Sequence, residues 1–291
     1  MYAVAALLIN AFVWGLSWMP FKALALAGLH PLWSTALIYS ISSAMMITLC
    51  KEIFWSLKEK SGFWMVAATA GLTNACFNTA VTLGDVVRVI LLFYLMPVWA
   101  VLLSRLILKE KLTPLNLSKA CLGVLGAAVI TGGMQADQPL ALNPIDLLAV
   151  AGGFLFALNN VLLKKMSHMD GKLMTLAMVS GACFTNLALA LGLMNAGLIA
   201  EPALLSGGNL QLLLLWSLLF MAANVCLQYG ASRLPATLTA VLMLSEIVFG
   251  SISAWWMNQS EIGTKELLGG GLILMAALLG NTRKKPLSTH I

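Results

Sequence analysis

Residues 241–256 read VLMLSEIVFGSISAWW, a run of apolar and small residues with one acid, Glu246, at its centre. A hydrocarbon layer about 30 Å thick is crossed by about 20 helical residues, and this run with its flanks is long enough. It is one of ten such blocks, spanning roughly 3–21, 31–50, 62–83, 86–108, 114–134, 144–164, 172–195, 210–231, 235–257 and 265–282. Of the 291 residues 60% are hydrophobic and only 10% charged, with mean hydropathy +0.91; a soluble domain carries about 25% charged residues. Lipid satisfies no free backbone N–H or C=O, so each block predicts a helix and not an open strand. The expected fold class is an all-α membrane protein of ten transmembrane helices.

The net charge of +6 has no soluble basic domain to serve, which excludes nucleic acid as a partner. It reads instead as orientation. With the N-terminus inside, 14 of the 17 basic residues fall on the inner side, and only Lys22, Arg88 and Lys265 fall opposite. The positive-inside rule then puts both termini in the cytoplasm of a multi-pass protein of the bacterial inner (plasma) membrane. The first block lacks a basic n-region and a cleavage site, so it predicts a retained helix. All five cysteines lie inside the blocks with no CxxC pair and no nearby His, which points to packing and to no metal. No Gly-rich phosphate cradle follows a strand, so no nucleotide cofactor is expected. Ser245 beside Glu246 does not make a nucleophile and base, because adjacent helical residues point about 100° apart. The expectation is no enzyme, with an intramembrane enzyme as the rival from another class.

Pro31, Pro114, Pro144 and Pro235 stand at helix starts, where a missing N–H costs nothing. Asn143 with Asp146 reads as a cap for the sixth helix. Pro97 lies mid-block in VILLFYLMPVWAVLL, so it predicts a kink that frees the carbonyl of Phe93. A shift of 150 residues pairs Asn74 with Asn224, Cys76 with Cys226, Asn78 with Gln228 and Met96 with Glu246; a shift of 142 pairs Trp14 with Phe156 and Trp18 with Asn160. Two repeats, 1–140 and 141–291, then hold five helices each. An odd number inverts the second repeat in the membrane, and inverted repeats around a central cavity are characteristic of secondary transporters.

Trp14-Gly15 in the first helix, YLMPVWAVLLSRLILKEKLT (94–113) and the Gly-rich LLGGGLILMAALLG (267–280) resemble the EamA-type members of the drug/metabolite transporter superfamily. The most specific piece is Pro97 followed by Glu110 and then Leu112-Thr113. The second half departs from the family pattern: Glu246-Ile247-Val248-Phe249 lacks the proline, which removes a kink, and Ser260 stands where an acid is expected. The resemblance implies a ten-helix basket with a central cavity, exporting small metabolites, often amino acids, or drugs. The aromatic amino acid exporters of the superfamily look similar in size and layout.

A charge at mid-bilayer costs roughly 2.5–3.5 kcal/mol on insertion scales. Thr239, Met243, Gly250 and Ser253 share the Glu246 face, a small and polar stripe that should look inward. There the acid suits a proton carrier or a partner for an ammonium group; the bland alternative is a protonated acid bonding between helices. Asn74 with Asn78, and Asn224 with Gln228, form polar faces that suit either recognition of a polar solute or helix packing. Phe156, Asn160 and Lys164 share a face of the sixth helix, and Trp14 is too deep for an interface anchor, so Asn160 and Trp14 are candidates for the cavity wall. Tyr94, one turn before Pro97, lines the cavity or packs beside the kink. Pro97 and Gly250 are hinge candidates in matching helices. The expected cavity is lined by helices one, three, four, six, eight and nine. Its expected partners are a small-molecule substrate, the bilayer and protons as coupling ion, in a monomer or homodimer. A proton-coupled exporter of drug-like cations is the alternative.

Overall fold

The structure is a computed structural model that describes residues 1–49, 61–83, 86–111, 113–130, 143–257 and 263–279. Leu112 and Ser260, and the side chain of Arg88, lie outside the described set. Among these residues every element is an α-helix. The first expected span holds α1 (Tyr2–Gly15) and α2 (Trp18–Leu26); α3 (Pro31–Leu49) and α4 (Ser61–Leu83) follow. The fourth span holds α5 (Val86–Phe93) and α6 (Met96–Ile107), and α7 (Pro114–Ile130) completes the first half. The second half contains α8 (Pro144–Lys165), α9 (Gly171–Asn195), α10 (Gly207–Arg233), α11 (Ala236–Met243), α12 (Ser245–Trp256) and α13 (Thr264–Leu279). Among the described residues six stretches are long and apolar enough to cross a membrane: Tyr2–Leu26, Pro31–Leu49, Pro144–Lys165, Gly171–Asn195, Gly207–Arg233 and Ala236–Trp256. Their outer faces expose Phe184, Leu214, Leu215 and Trp256, a surface suited to lipid and adverse in water.

Helix starts follow the local signals. Asn143 Oδ1 accepts from the Asp146 N–H at 2.8 Å while Asp146 Oδ2 accepts from the Asn143 N–H at 2.9 Å, a reciprocal cap. Pro31, Pro114 and Pro144 open α3, α7 and α8.

Among the described residues three spans are broken, and two of the breaks carry a proline, Pro20 after Leu16 and Pro97 after Phe93. At each, the ladder tightens to bonds between residues three apart: Leu95 N to Leu92 O (3.3 Å) and Val98 N to Leu95 O (2.9 Å); Leu244 N to Val241 O (3.2 Å) and Ile247 N to Leu244 O (3.2 Å); Ser17 N to Trp14 O (3.0 Å) and Met19 N to Leu16 O (3.2 Å). The first span is therefore not the continuous helix expected. The ninth span breaks although its proline is missing, because the Ser245 hydroxyl donates to the Leu242 carbonyl at 2.6 Å and takes over part of the lost bonding. That break falls at Leu244, one residue earlier than the 150-residue offset places it, and Gly250 lies inside α12 rather than at the break.

Glycines let the broken spans approach their neighbours. A side chain on Gly153 of α8 would collide with the Phe93 carbonyl, the group that Pro97 cannot bond. Gly15 of α1 sits against the Glu246 carbonyl, which a Cβ would reach at 2.6 Å. Gly71 and Gly181 bring α4 and α9 together in the same way. Without a hydrophobic drive between helices in lipid, such close contacts and interhelical hydrogen bonds hold the bundle. Among the latter, Asn10 Nδ2 donates to Ala223 O at 2.7 Å and Ser42 Oγ to Ser217 O at 2.7 Å. α9 is the innermost helix, buried without interruption from Leu173 to Cys183 between α3, α4 and α10. α1 packs on α10 and α12 much as α8 packs on α4 and α6, while α3 meets α9 and α7 meets α13.

Candidate functional site

Between the helices lies a partly open chamber with a cavity volume of about 80 Å³. The break at Leu244 sets Glu246 in the first turn of α12, at the positive end of that helix's dipole. The break in the fourth span sets Tyr94 opposite, and its hydroxyl donates to Glu246 Oε1 at 2.6 Å. Two interrupted helices thus meet across the acid. Glu246 faces the chamber and not the bilayer.

Asn74 and Asn224, the pair matched by the 150-residue shift, behave alike. Each lines the chamber and donates its amide to the carbonyl four residues back, Ala70 O at 3.0 Å and Phe220 O at 2.8 Å. Asn224 also reaches the Tyr39 hydroxyl at 3.5 Å. Asn224 thereby uses both its N–H groups and Asn74 one of its two, and neither side-chain oxygen accepts from a described residue. Trp14, Tyr39, Phe77, Phe93 and Phe156 supply the apolar wall. Their edge and tilted contacts, such as Phe77 with Phe93 at 4.7 Å and Trp14 with Phe220 at 4.8 Å, fix the rings in place. Among the described lining residues there is one acid and no Lys or Arg.

The structure places the other candidates away from the chamber wall. Asn160 is fully buried, lines no part of the chamber, and both its amide atoms lack a partner. Its neighbour Asn159 is the chamber residue, accepting from Thr69 Oγ1 at 3.1 Å. Phe156 fixes that face, and a residue three further on shares it as readily as one four further on. Asn78 leaves the chamber to bond Thr35 Oγ1 at 2.9 Å and Asn186 Oδ1 at 3.3 Å, so it joins α4 to α3 and α9. Gln228 opens into a different pocket. Helices two and seven also contribute, through Tyr39 and Met178; the stripe of Tyr39, Ser42 and Ser43 was the signal for the former. Trp18 donates to Ser253 Oγ at 2.9 Å and lines no wall. No described group of His, Cys, Asp and Glu is arranged to hold a metal.

A largely apolar chamber holding one acid and a few amides, walled by membrane-length helices, fits a membrane transporter. Residues 1–132 and 143–282 each match the EamA-like transporter family, and the chain belongs to it. Two Helicobacter pylori proteins, each named an uncharacterized transporter, are similar. That of strain 26695 is 26% identical over 192 residues and that of strain J99 is 27% identical over 191. Each match takes in 63% of this chain and spans only 60% of the length of the relative. A crystal structure of a protein at 18% identity shares the fold, with a TM-score of 0.78 over 96% of each chain.

Proposed function

We propose that the chain is a secondary active exporter of small amine-bearing metabolites, amino acids foremost, working by alternating access between two inverted five-helix repeats. The carrying observation is Glu246, held by Tyr94 at 2.6 Å inside a chamber of amides and aromatic rings. An ammonium group pairs with the carboxylate, the side-chain oxygens of Asn74 and Asn224 accept from its remaining N–H groups, and the rings pack on an apolar body. A proton competing for Glu246 couples the cycle: the acid releases substrate when protonated on the outer side and rebinds it when deprotonated on the inner side. The breaks beside Tyr94 and Leu244 serve as the joints, with Pro97 next to the first.

One observation favours a second reading. With no basic side chain among the described lining residues, the chamber offers a substrate carboxylate only neutral donors, which also suits organic cations lacking a carboxylate. Proteoliposomes loaded with amino acids or with quaternary ammonium compounds, with and without a pH gradient, separate the two. Gradient-driven efflux of neutral amino acids, lost in Glu246→Gln, is expected; unchanged flux in that variant removes the coupling role.

A further inference from the structure

A second, more open pocket, with a cavity volume of about 260 Å³, lies where the end of α10 meets the α8–α9 connection and the start of α9. The distribution of basic residues puts this end of the bundle in the cytoplasm. Gln228 lies one helical turn beyond Asn224, about 6 Å along α10, so the two pockets are served by successive turns of one helix. Three features mark the second as built for a ligand. Gln228 is only 7% exposed, lines this pocket and makes no hydrogen bond with any described residue. It is held in place against Gly171, where a Cβ would meet its Oε1 at 2.7 Å. The Arg233 guanidinium stacks on the Tyr229 ring at 3.7 Å, and its Nη1 donates to Tyr229 O and Ser232 Oγ, each at 3.1 Å. Its Nε and Nη2 edge is left for another partner. Asp170 accepts from the Lys172 backbone N–H at 2.8 Å, and neither Arg233 nor Lys172 forms an ion pair with it. Charges of both signs therefore share one pocket without neutralising each other.

We propose that this pocket binds a zwitterionic head, with the anionic group on the free edge of Arg233, the ammonium on Asp170 and the Gln228 amide bonding between them. Two sources carry that chemistry: a free α-amino acid on its way to the chamber, or the phosphoethanolamine head of a membrane lipid. Only the first source rests on the function proposed above; the site itself does not. An anion fork stacked on an aromatic ring is preorganised, and Lys in its place lacks the planar donor pair.

The test uses the full chain with Glu246→Gln, which silences the central acid, in nanodiscs of phosphatidylglycerol. Calorimetric titration with neutral amino acids reads the first source. Native mass spectrometry of retained phosphatidylethanolamine, after reconstitution in a mixed bilayer, reads the second. Arg233→Gln and Gln228→Met are compared in the same background, with thermal unfolding to confirm that both fold; Arg233 is exposed, so its replacement leaves the packing intact. Binding of either ligand that weakens at least about tenfold in both variants establishes the site and its source, as expected for loss of a charge-assisted bond. No binding of either, or binding indifferent to both substitutions, overturns it. Failure of the exporter reading would appear elsewhere, as absent flux in proteoliposomes of the unaltered chain.

Discussion

Glu246 lowers the cost of a mid-membrane carboxylate through its surroundings. It lies in the first turn of α12, at the positive end of the helix dipole, and the Tyr94 hydroxyl lies 2.6 Å away. A hydrogen bond to a charged group contributes about 1.5–3 kcal/mol, so Tyr94→Phe, which keeps the ring and removes the donor, should slow efflux about tenfold while the protein still folds. Unaltered efflux would reduce Tyr94 to packing. His30 makes a separate prediction in the α2–α3 connection. Its Nδ1 accepts from the Leu32 N–H at 3.3 Å, and partial burial pushes the imidazole down from its ordinary value of 6.5. A group whose pKa falls on folding adds stability that is present above the unfolded value and lost as pH drops through it. Hydrogen exchange at the Leu32 amide, corrected for intrinsic rates, should therefore be more protected at pH 7.5 than at pH 5.5. His30→Gln should abolish the difference.

At the scale of elements, the helices were legible because lipid leaves the backbone one economical answer, and their starts because proline and Asn143 announce them. The breaks were legible only in part. Pro97 marks the one at Leu95, and Pro20 stands four residues after Leu16 as Pro97 does after Phe93; the break at Leu244 has no proline and is a slip to three-residue bonding with the Ser245 hydroxyl on the Leu242 carbonyl. What the breaks demand is space on the facing helix, and glycines supply it. Gly153→Ala puts a methyl group on the Phe93 carbonyl, an overpacking that should cost about 1–3 kcal/mol and lower the melting temperature in detergent. Gly192→Ala on α9 meets nothing within 4 Å and should be neutral or stabilise by about 0.4–1 kcal/mol. Equal melting temperatures for the two variants would show that the close approach of α8 to the broken span is not sustained.

Over the whole molecule the site was legible to the depth that symmetry reaches. Asn74 and Asn224 hold matching places on α4 and α10 and make matching bonds, so the weak internal repeat located them. One turn further the halves diverge: Asn78 bonds α3 and α9, while Gln228 opens into the second pocket. Nothing in the local sequence distinguishes those fates, because they depend on which helix stands opposite. The exchange in packing, α1 on α10 and α12 against α8 on α4 and α6, is what a two-fold relation between the halves produces, and the inversion proposed above lays its axis in the membrane plane. That axis requires equivalent connections to face opposite sides. Thr113, before α7, and Thr264, at the start of α13, are exposed and occupy corresponding places in the two halves. In a cysteine-free chain expressed in spheroplasts, Thr264→Cys should react with a membrane-impermeant maleimide directly, and Thr113→Cys only after permeabilisation. Labelling of both from one side would place the two halves in parallel, and the alternating-access scheme with its inward-facing Arg233 pocket would have to be abandoned.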